Sequence, residues 1–396
     1  SAASDVYKRQ NADRIIELLM KYHSLDIEWG NHDILWMGAA CGSEACIANV
    51  LRNNIKYGNM EILENSYGIS LRSLILFAEK LYPNLTPMKA ALKAISIILF
   101  KLEGQIIMRH SEYNMDDRLL LDKMDLGKGT VCIEGQEYDL NDTYFPTIDF
   151  KQPYVLSEEE QKVMEDLRAS FRNSHVLRNH VEFLYEKGSI YRVYNGNLLF
   201  HGCIPLDENG NLDGIQIGEK FYCGKEYMDY AQRVARLAFY QGTRPALDFM
   251  WYLWCGKKSP LSGRNIKTFE RTFVEDKRAW EEAKDPYYRY YQQEDVCVRI
   301  LGEFGLHSSM SHIINGHTPI KVSDGESPVK ANNRLIVIDG GFCKAYQKTT
   351  GIAGYTLIYN SHGMRLKAHQ PFESIEKVLT ENKDIESSLS LIHISE

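Results

Sequence analysis

Along most of this chain the apolar residues recur at helical spacing, and the exceptions fall at short strands that end on polar residues. Over 11–22, Ile15, Ile16, Leu18, Leu19 and Tyr22 return every three to four positions, which predicts an amphipathic helix. Residues 21–27 alternate and predict a short buried strand; 34–40 read as the first turns of a helix. Helices are predicted at 44–57, 60–64 and 70–82, broken by Gly58 and Gly68, with Pro83 and Pro87 marking the next boundary. Over 86–110, Ile95, Ile98, Leu99, Leu102 and Ile106 share one face, as core-packing residues do. The pattern shortens across 122–150, where two strands fit at 130–134 and 137–140 between Gly127, Gly129 and Gly135. Ser157 with Glu160 three residues on predicts a capping box that opens a helix running to about 187. His175 and His180 lie in that helix off an i, i+4 metal spacing and read as surface or packing residues. Helices follow at 225–240 and 243–255, then a tyrosine-rich helical stretch at 285–304. Strands are predicted at 197–200, from 312, at 334–339 closed by Gly340 and Gly341, and at 355–360 turning at His362-Gly363.

Three of these strands end in motifs with chemistry: Gly30-Asn31-His32-Asp33, His201-Gly202 and Gly316-His317. Sites form at the carboxyl edge of open α/β sheets, where such side chains would gather. Asn31 offers a carbonyl oxygen suited to a hard divalent cation. His32 can ligate a metal or move a proton near neutral pH, and Asp33 can orient it. The plainer reading stands beside this. Asn31 or Asp33 can cap the helix that follows, His32 can be an ordinary turn histidine, and a lone histidine after a strand is more often structural. A basic loop at 256–264, with Lys257, Lys258 and Arg264, can meet a phosphate or simply be solvated. Together the motifs fit half of a two-metal hydrolase site, in which two cations share a hydroxide. The other half needs carboxylates, and no carboxylate motif precedes Gly30.

Composition narrows the class. The 396 residues are 44% hydrophobic and 25% charged, an ordinary globular balance. The net charge of −7 gives no whole-chain footprint for nucleic acid or an anionic membrane, so neither is expected as a partner. Eight cysteines without a C-x-x-C pair suggest reduced thiols and a cytoplasmic setting. No apolar run reaches the length of a membrane span.

Longer strings carry a resemblance. These are 29–40 (WGNHDILWMGAA), 201–205 (HGCIP), 244–248 (RPALD), 314–319 (INGHTP), 325–328 (GESP), 338–342 (IDGGF) and 351–360 (GIAGYTLIYN). In this order they resemble the calcineurin-like metallophosphatases, and within them the bacterial class III fructose-1,6-bisphosphatases. The resemblance implies an α/β fold of two packed mixed sheets flanked by helices, with a helical insertion at about 44–188. It implies that Asn31, His201 and His317 ligate one metal and that His32 is the general acid protonating the departing sugar alkoxide. Asp33 is then a possible helper to His32 or a residue of the turn. It further implies divalent metal, manganese, with two ions in the full-length parent, and a sugar bisphosphate substrate hydrolysed to fructose 6-phosphate and phosphate in gluconeogenesis. Beside it, the basic loop offers Lys257, Lys258 and Arg264 as candidate substrate contacts.

The departures carry expectations of their own. The family's first two metal motifs, Asp-x-His and Gly-Asp, should precede Gly30 and do not, and His317 is followed by Thr318-Pro319 where many relatives have a second histidine. Residues 1–10 and 389–396 resemble translated sequencing adaptors, which leaves 11–388 as a partial catalytic domain lacking N-terminal strands. The chain as written is therefore expected to hold at most one metal and to be inactive alone. Two alternatives remain: another metallophosphoesterase, such as a phosphoprotein phosphatase, and a non-catalytic metal-binding interaction module.

Overall fold

A computed structural model describes residues 12–321, 324–339, 354–360 and 363–369, and the backbone of 386–392. The adaptor-like residues 1–10, the Gly340-Gly341 closure, the turn at His362 and residues from 393 onward lie outside the described residues. The chain enters through α1 (Ala12–Leu19) and reaches β1 (Ile27–Glu28). The alternation at 21–27 thus yields strand only at its end. The side chains before it stay largely exposed, Tyr22 among them, so no core face selects an extended register.

A helical layer follows: α2 (Asn31–Ala40), α3 (Glu44–Tyr57), α4 (Arg72–Leu81) and α5 (Pro87–Arg109), with a single π-helical turn at Ile62–Ser66 where 60–64 predicts an ordinary helix. Pro87 sits in the first turn of α5, where its missing N–H costs nothing. All five residues of the α5 stripe are buried, each contributing about 1.5–3 kcal/mol relative to exposure. An antiparallel meander comes next, β2 (Met124–Asp125), β3 (Thr130–Ile133) and β4 (Gln136–Asp139). The single helix expected over 157–187 is two, α6 (Glu158–Asn173) and α7 (His175–Lys187). The physical reason is Ser174, which leaves helical geometry, donates its hydroxyl to Tyr67 O at 2.6 Å and accepts from Leu177 N–H.

β5 (Gly188–Ser189) pairs in parallel with β1. Then come β6 (Tyr191–Tyr194), β7 (Asn197–Phe200), β8 (Gly214–Ile217), β9 (Lys220–Cys223), α8 (Gly224–Tyr240), α9 (Arg244–Cys255), α10 (Glu294–Glu303), β10 (Ile313–Asn315), β11 (Val329–Lys330) and β12 (Leu335–Val337). The larger sheet has the order β11-β12-β10-β7-β6. Its three central strands are parallel, with Ile313 opposite both Leu335 and Leu198, and antiparallel strands close each edge. β13 (Gly354–Asn360), β14 (Gly363–His369) and β15 (Glu386–Ile392) form a second sheet. Tyr355, Met364 and Leu366 of that sheet join one buried core with Leu198, Ile313 and Ile336 of the first. The fold is mixed α/β, as expected, with one correction: the larger sheet is mixed, whereas the second is antiparallel throughout its described strands. Among the described residues no helix is long and apolar enough to cross a membrane.

Candidate functional site

Parallel strands about 4.8 Å apart deliver whatever follows them to the same edge of a sheet. β7 is followed at once by His201, β10 by Gly316-His317 and β12 by Ile338-Asp339. The strand ends are tied to one another: Gly316 N–H donates to His201 O at 3.0 Å and Ile338 N–H to Asn315 O at 2.9 Å. Asn315 fixes the same corner, donating to Gly202 O and to the Tyr287 hydroxyl. The result sets His201 Nε2 3.1 Å from His317 Nδ1. His317 reaches this position with φ +66°, a left-handed backbone that favours glycine. Such conformations persist where the surroundings enforce them, and they cluster at functional sites. Burial pushes the His201 imidazole well below its usual range, and His317 and His32 add to this, so His201 is neutral and able to ligate.

Asn31, His32 and Asp33 come from the other side. Trp29 anchors the approach. It is fully buried, its indole N–H donates to Leu184 O at 2.8 Å, and the Arg236 guanidinium lies over its ring. Gly30 is the N-cap of α2, with extended backbone (φ −90°, ψ 169°). A Cβ on Gly30 would lie 3.1 Å from His201 Cε1 and 3.2 Å from Asp33 Oδ2, so the missing side chain lets the helix end approach the histidine. Asn31, His32 and Asp33 are thus the first turn of the helix, not a loop ahead of it. Asp33 Oδ2 accepts from Gly30 N–H at 2.7 Å, which gives Asp33 the cap. Burial pushes its carboxyl up to about 6, against the pull of that hydrogen bond. His32 is half-buried and meets Trp254 edge-on, with ring centres 4.9 Å apart.

The donors fit part of a divalent cation's shell. Asn31 Oδ1 and His201 Nδ1 are buried without a hydrogen-bond partner, a costly state that a cation would relieve. Among the described residues no group of three or more His, Cys, Asp or Glu side chains could hold a metal. The set present is instead one amide oxygen and the imidazoles of His201 and His317.

Asn31, His32 and His317 open onto a cleft of about 430 Å³, within the size range of small-molecule sites. The basic loop divides here. Arg264 lines the cleft, and one of its terminal nitrogens lies 3.5 Å from Thr318 Oγ1. Lys258 is held by Leu206 O, Asp213 and Asp285, at 2.7, 2.8 and 3.0 Å, and Lys257 pairs with Asp117 at 2.7 Å. Neither lysine lines the cleft. The structure adds residues that sequence reasoning missed: Arg52 and Lys56 of α3, Arg271, Trp254 and Asp339. Asp339 follows an apolar strand just as His201 and His317 do, and that placement could have marked it. Arg52 and Lys56 stand four apart on one helix face, a weaker signal that solvated helices also show.

Fold and cleft together define an α/β protein whose strand-end His317 and helix-end Asn31 face a cation-lined cleft, with His201 beside His317. The family model for Firmicute fructose-1,6-bisphosphatase matches residues 2–396. The chain is 51% identical to the class 3 fructose-1,6-bisphosphatase of Clostridium novyi (strain NT), over 98% of this chain and 62% of that protein. It is 50% identical to the enzyme of the same name from Clostridium tetani (strain Massachusetts / E88), over 99% and 63%. It is 49% identical to one from Clostridium beijerinckii, over 98% and 62%. The chain therefore belongs to the Firmicute class III fructose-1,6-bisphosphatase family. It spans 62–63% of the length of these curated relatives. No solved structure matches it.

Proposed function

We propose that this chain carries the acid, part of the metal site and the substrate cleft of a fructose-1,6-bisphosphatase, acting in gluconeogenesis in the cytoplasm. Membership of the family supports the substrate, and seven free described cysteines suit a reducing compartment. The observation that carries the reading is the convergence of Asn31, His32, His317 and Arg264 on one cleft, with His201 beside His317. Kinship with the calcineurin-like metallophosphatases is part of the proposal, supported by histidines at the ends of adjacent parallel strands.

Asn31, His201 and His317 would hold a divalent cation, manganese by family resemblance. Bound there, it supplies positive charge to the phosphoryl oxygens as negative charge develops on them. The remaining work falls to the chain. Arg264 holds a phosphate of the substrate at the cleft wall. His32 donates a proton to the sugar oxygen at C1 as the P–O bond breaks, while the hydroxyl of water bonds to phosphorus and the water's remaining proton passes to solvent, from which His32 is reprotonated, leaving fructose 6-phosphate and phosphate. Trp254 limits the ring positions open to His32 by packing edge-on against it.

The test is phosphate release from fructose 1,6-bisphosphate with manganese, by the complete gene product and its His32→Ala variant. The proposal predicts release that falls at least 100-fold in the variant, in the range of a lost general acid. A folded protein that binds manganese and the sugar but releases no phosphate, or that prefers a phosphoserine peptide, would overturn it.

A further inference from the structure

The cleft bordered by His32 and His317 has a second wall. Arg52 and Lys56 lie one turn apart on α3, Arg264 stands in the loop after α9, and Arg271 follows it. Four cations line this cleft against two carboxylates, Glu282 and Asp339. Glu282 is already committed to Arg271, at 3.0 Å.

Arg52 is the telling member. Its residue is only 6% exposed, yet among the described residues no carboxylate lies within ion-pair distance of it. Two hydroxyls position it instead: Nε donates to Ser96 Oγ at 3.2 Å and one terminal nitrogen to Thr272 Oγ1 at 2.7 Å. A guanidinium buried without a counter-ion is costly, and its planar fork matches a phosphate. Arg264 Nε is likewise buried without a hydrogen-bond partner, as are Ser262 Oγ and Asn54 Oδ1 in the same cleft wall. The Lys56 ammonium is held below its usual range, by burial first and then by Arg52 and Arg271. Arg52, Lys56 and Arg264 therefore share one cleft wall without an ion pair among the described residues, the charge pattern that an anion site needs.

We propose that Arg52, Lys56 and Arg264 form a subsite for the phosphoryl group that is not cleaved, so that the cleft selects sugar bisphosphates over monophosphates. This rests on the bisphosphatase reading of the same site. The reacting phosphate lies at the Asn31, His32 and His317 end. The 6-phosphate meets the cationic wall, and the sugar bridges them.

Titration calorimetry on the complete gene product with manganese tests this, using fructose 1,6-bisphosphate, fructose 1-phosphate and inorganic phosphate. The protein should bind the bisphosphate at least tenfold tighter than fructose 1-phosphate. In Lys56→Gln that gap should shrink severalfold, with the affinity for fructose 1-phosphate unchanged, and in Arg264→Gln the affinity for the bisphosphate should fall severalfold. Lys56→Arg should keep most of the gap. A Lys56→Gln variant that retains the full gap, or that weakens both sugars equally, overturns the subsite. Hydrolysis of the bisphosphate with the gap unaffected removes the subsite and keeps the bisphosphatase reading. Inorganic phosphate binding that falls in both variants, in a protein that hydrolyses no fructose 1,6-bisphosphate, does the reverse. A protein that binds none of the three probes removes the subsite as well.

Discussion

Lys101 and Arg52 are both cations sunk into the helical layer, and they are held in opposite ways. Lys101, on α5, has no exposed side-chain surface. It meets Glu160 at 2.7 Å and Thr147 O at 2.6 Å, and Glu160 also accepts from Ser157 N–H at the start of α6. Arg52, on α3, is nearly as buried but rests on two hydroxyls at the edge of a cleft. One cation is complete within the protein, and the other needs something from outside. The framework thus neutralises its buried charges, as Arg118 with Glu103 and Arg109 with Asp248 also show, while at the cleft Arg52, Lys56 and Arg264 have no ion pair among the described residues. That contrast separates structural from ligand-directed charge where composition alone does not.

The sharpest way to break the comparison is Lys101→Met. It strands Glu160 as a buried unpaired carboxylate and should cost about 3–5 kcal/mol in urea denaturation. A double change, Lys101→Met with Glu160→Leu, should recover much of that loss, because both charges then leave together. A smaller effect is expected from Gly188→Ala, where a Cβ would collide with Trp29 Nε1 and Leu184 O. Trp29 must then move, with a stability loss of about 1–3 kcal/mol. Because Gly30 and Asn31 follow Trp29, manganese binding should weaken in the same variant, which equilibrium dialysis would show.

His110 gives a pH-dependent version of the paired case. Burial alone would lower its pKa, but hydrogen bonds to Asp248 (3.0 Å) and Glu112 (2.7 Å) raise it above the ordinary histidine value. The folded state therefore binds the proton more tightly than the unfolded chain. Its stabilisation is full below about pH 6.5 and fades as pH rises through the folded value. The stability difference between the protein and His110→Gln should accordingly be larger at pH 5.5 than at pH 8.5, read as a difference in melting temperature. The smallest effect belongs to the cleft. Lys56→Gln should change stability by less than about 0.5 kcal/mol, because the residue as a whole is exposed, although its ammonium is partly desolvated at the cleft, and it has no ion pair to lose among the described residues. A large loss there would mean that the cleft cations are structural after all.

Some of this was legible in the chain and some was not, for physical reasons. Ser157 and Glu160 form the expected capping box, with hydrogen bonds of 3.2 and 2.8 Å, because that motif is settled within four residues. The three strand-end motifs were readable because an apolar run closing on histidine or asparagine has a local signature, and the pairing of β7 with β10 then brings His201 to His317. Ser174 was missed because one hydroxyl, satisfied by Tyr67 across 107 residues, ends one helix and begins the next. Lys258 and Arg264 are alike in sequence and differ only through Asp213 and Asp285, which the fold brings to the lysine. Arg52 shows the same limit from the other side: a basic residue on a helix is usually solvated, and only tertiary packing buries it beside the site.

The most direct test is anomalous diffraction from crystals of the complete gene product soaked with manganese and fructose 1,6-bisphosphate. The account predicts a manganese peak bounded by Asn31, His201 and His317, with one phosphate of the sugar beside it and the other against Arg52, Lys56 and Arg264. A manganese peak away from those three donors, or a sugar with both phosphates clear of the cationic wall, would contradict it.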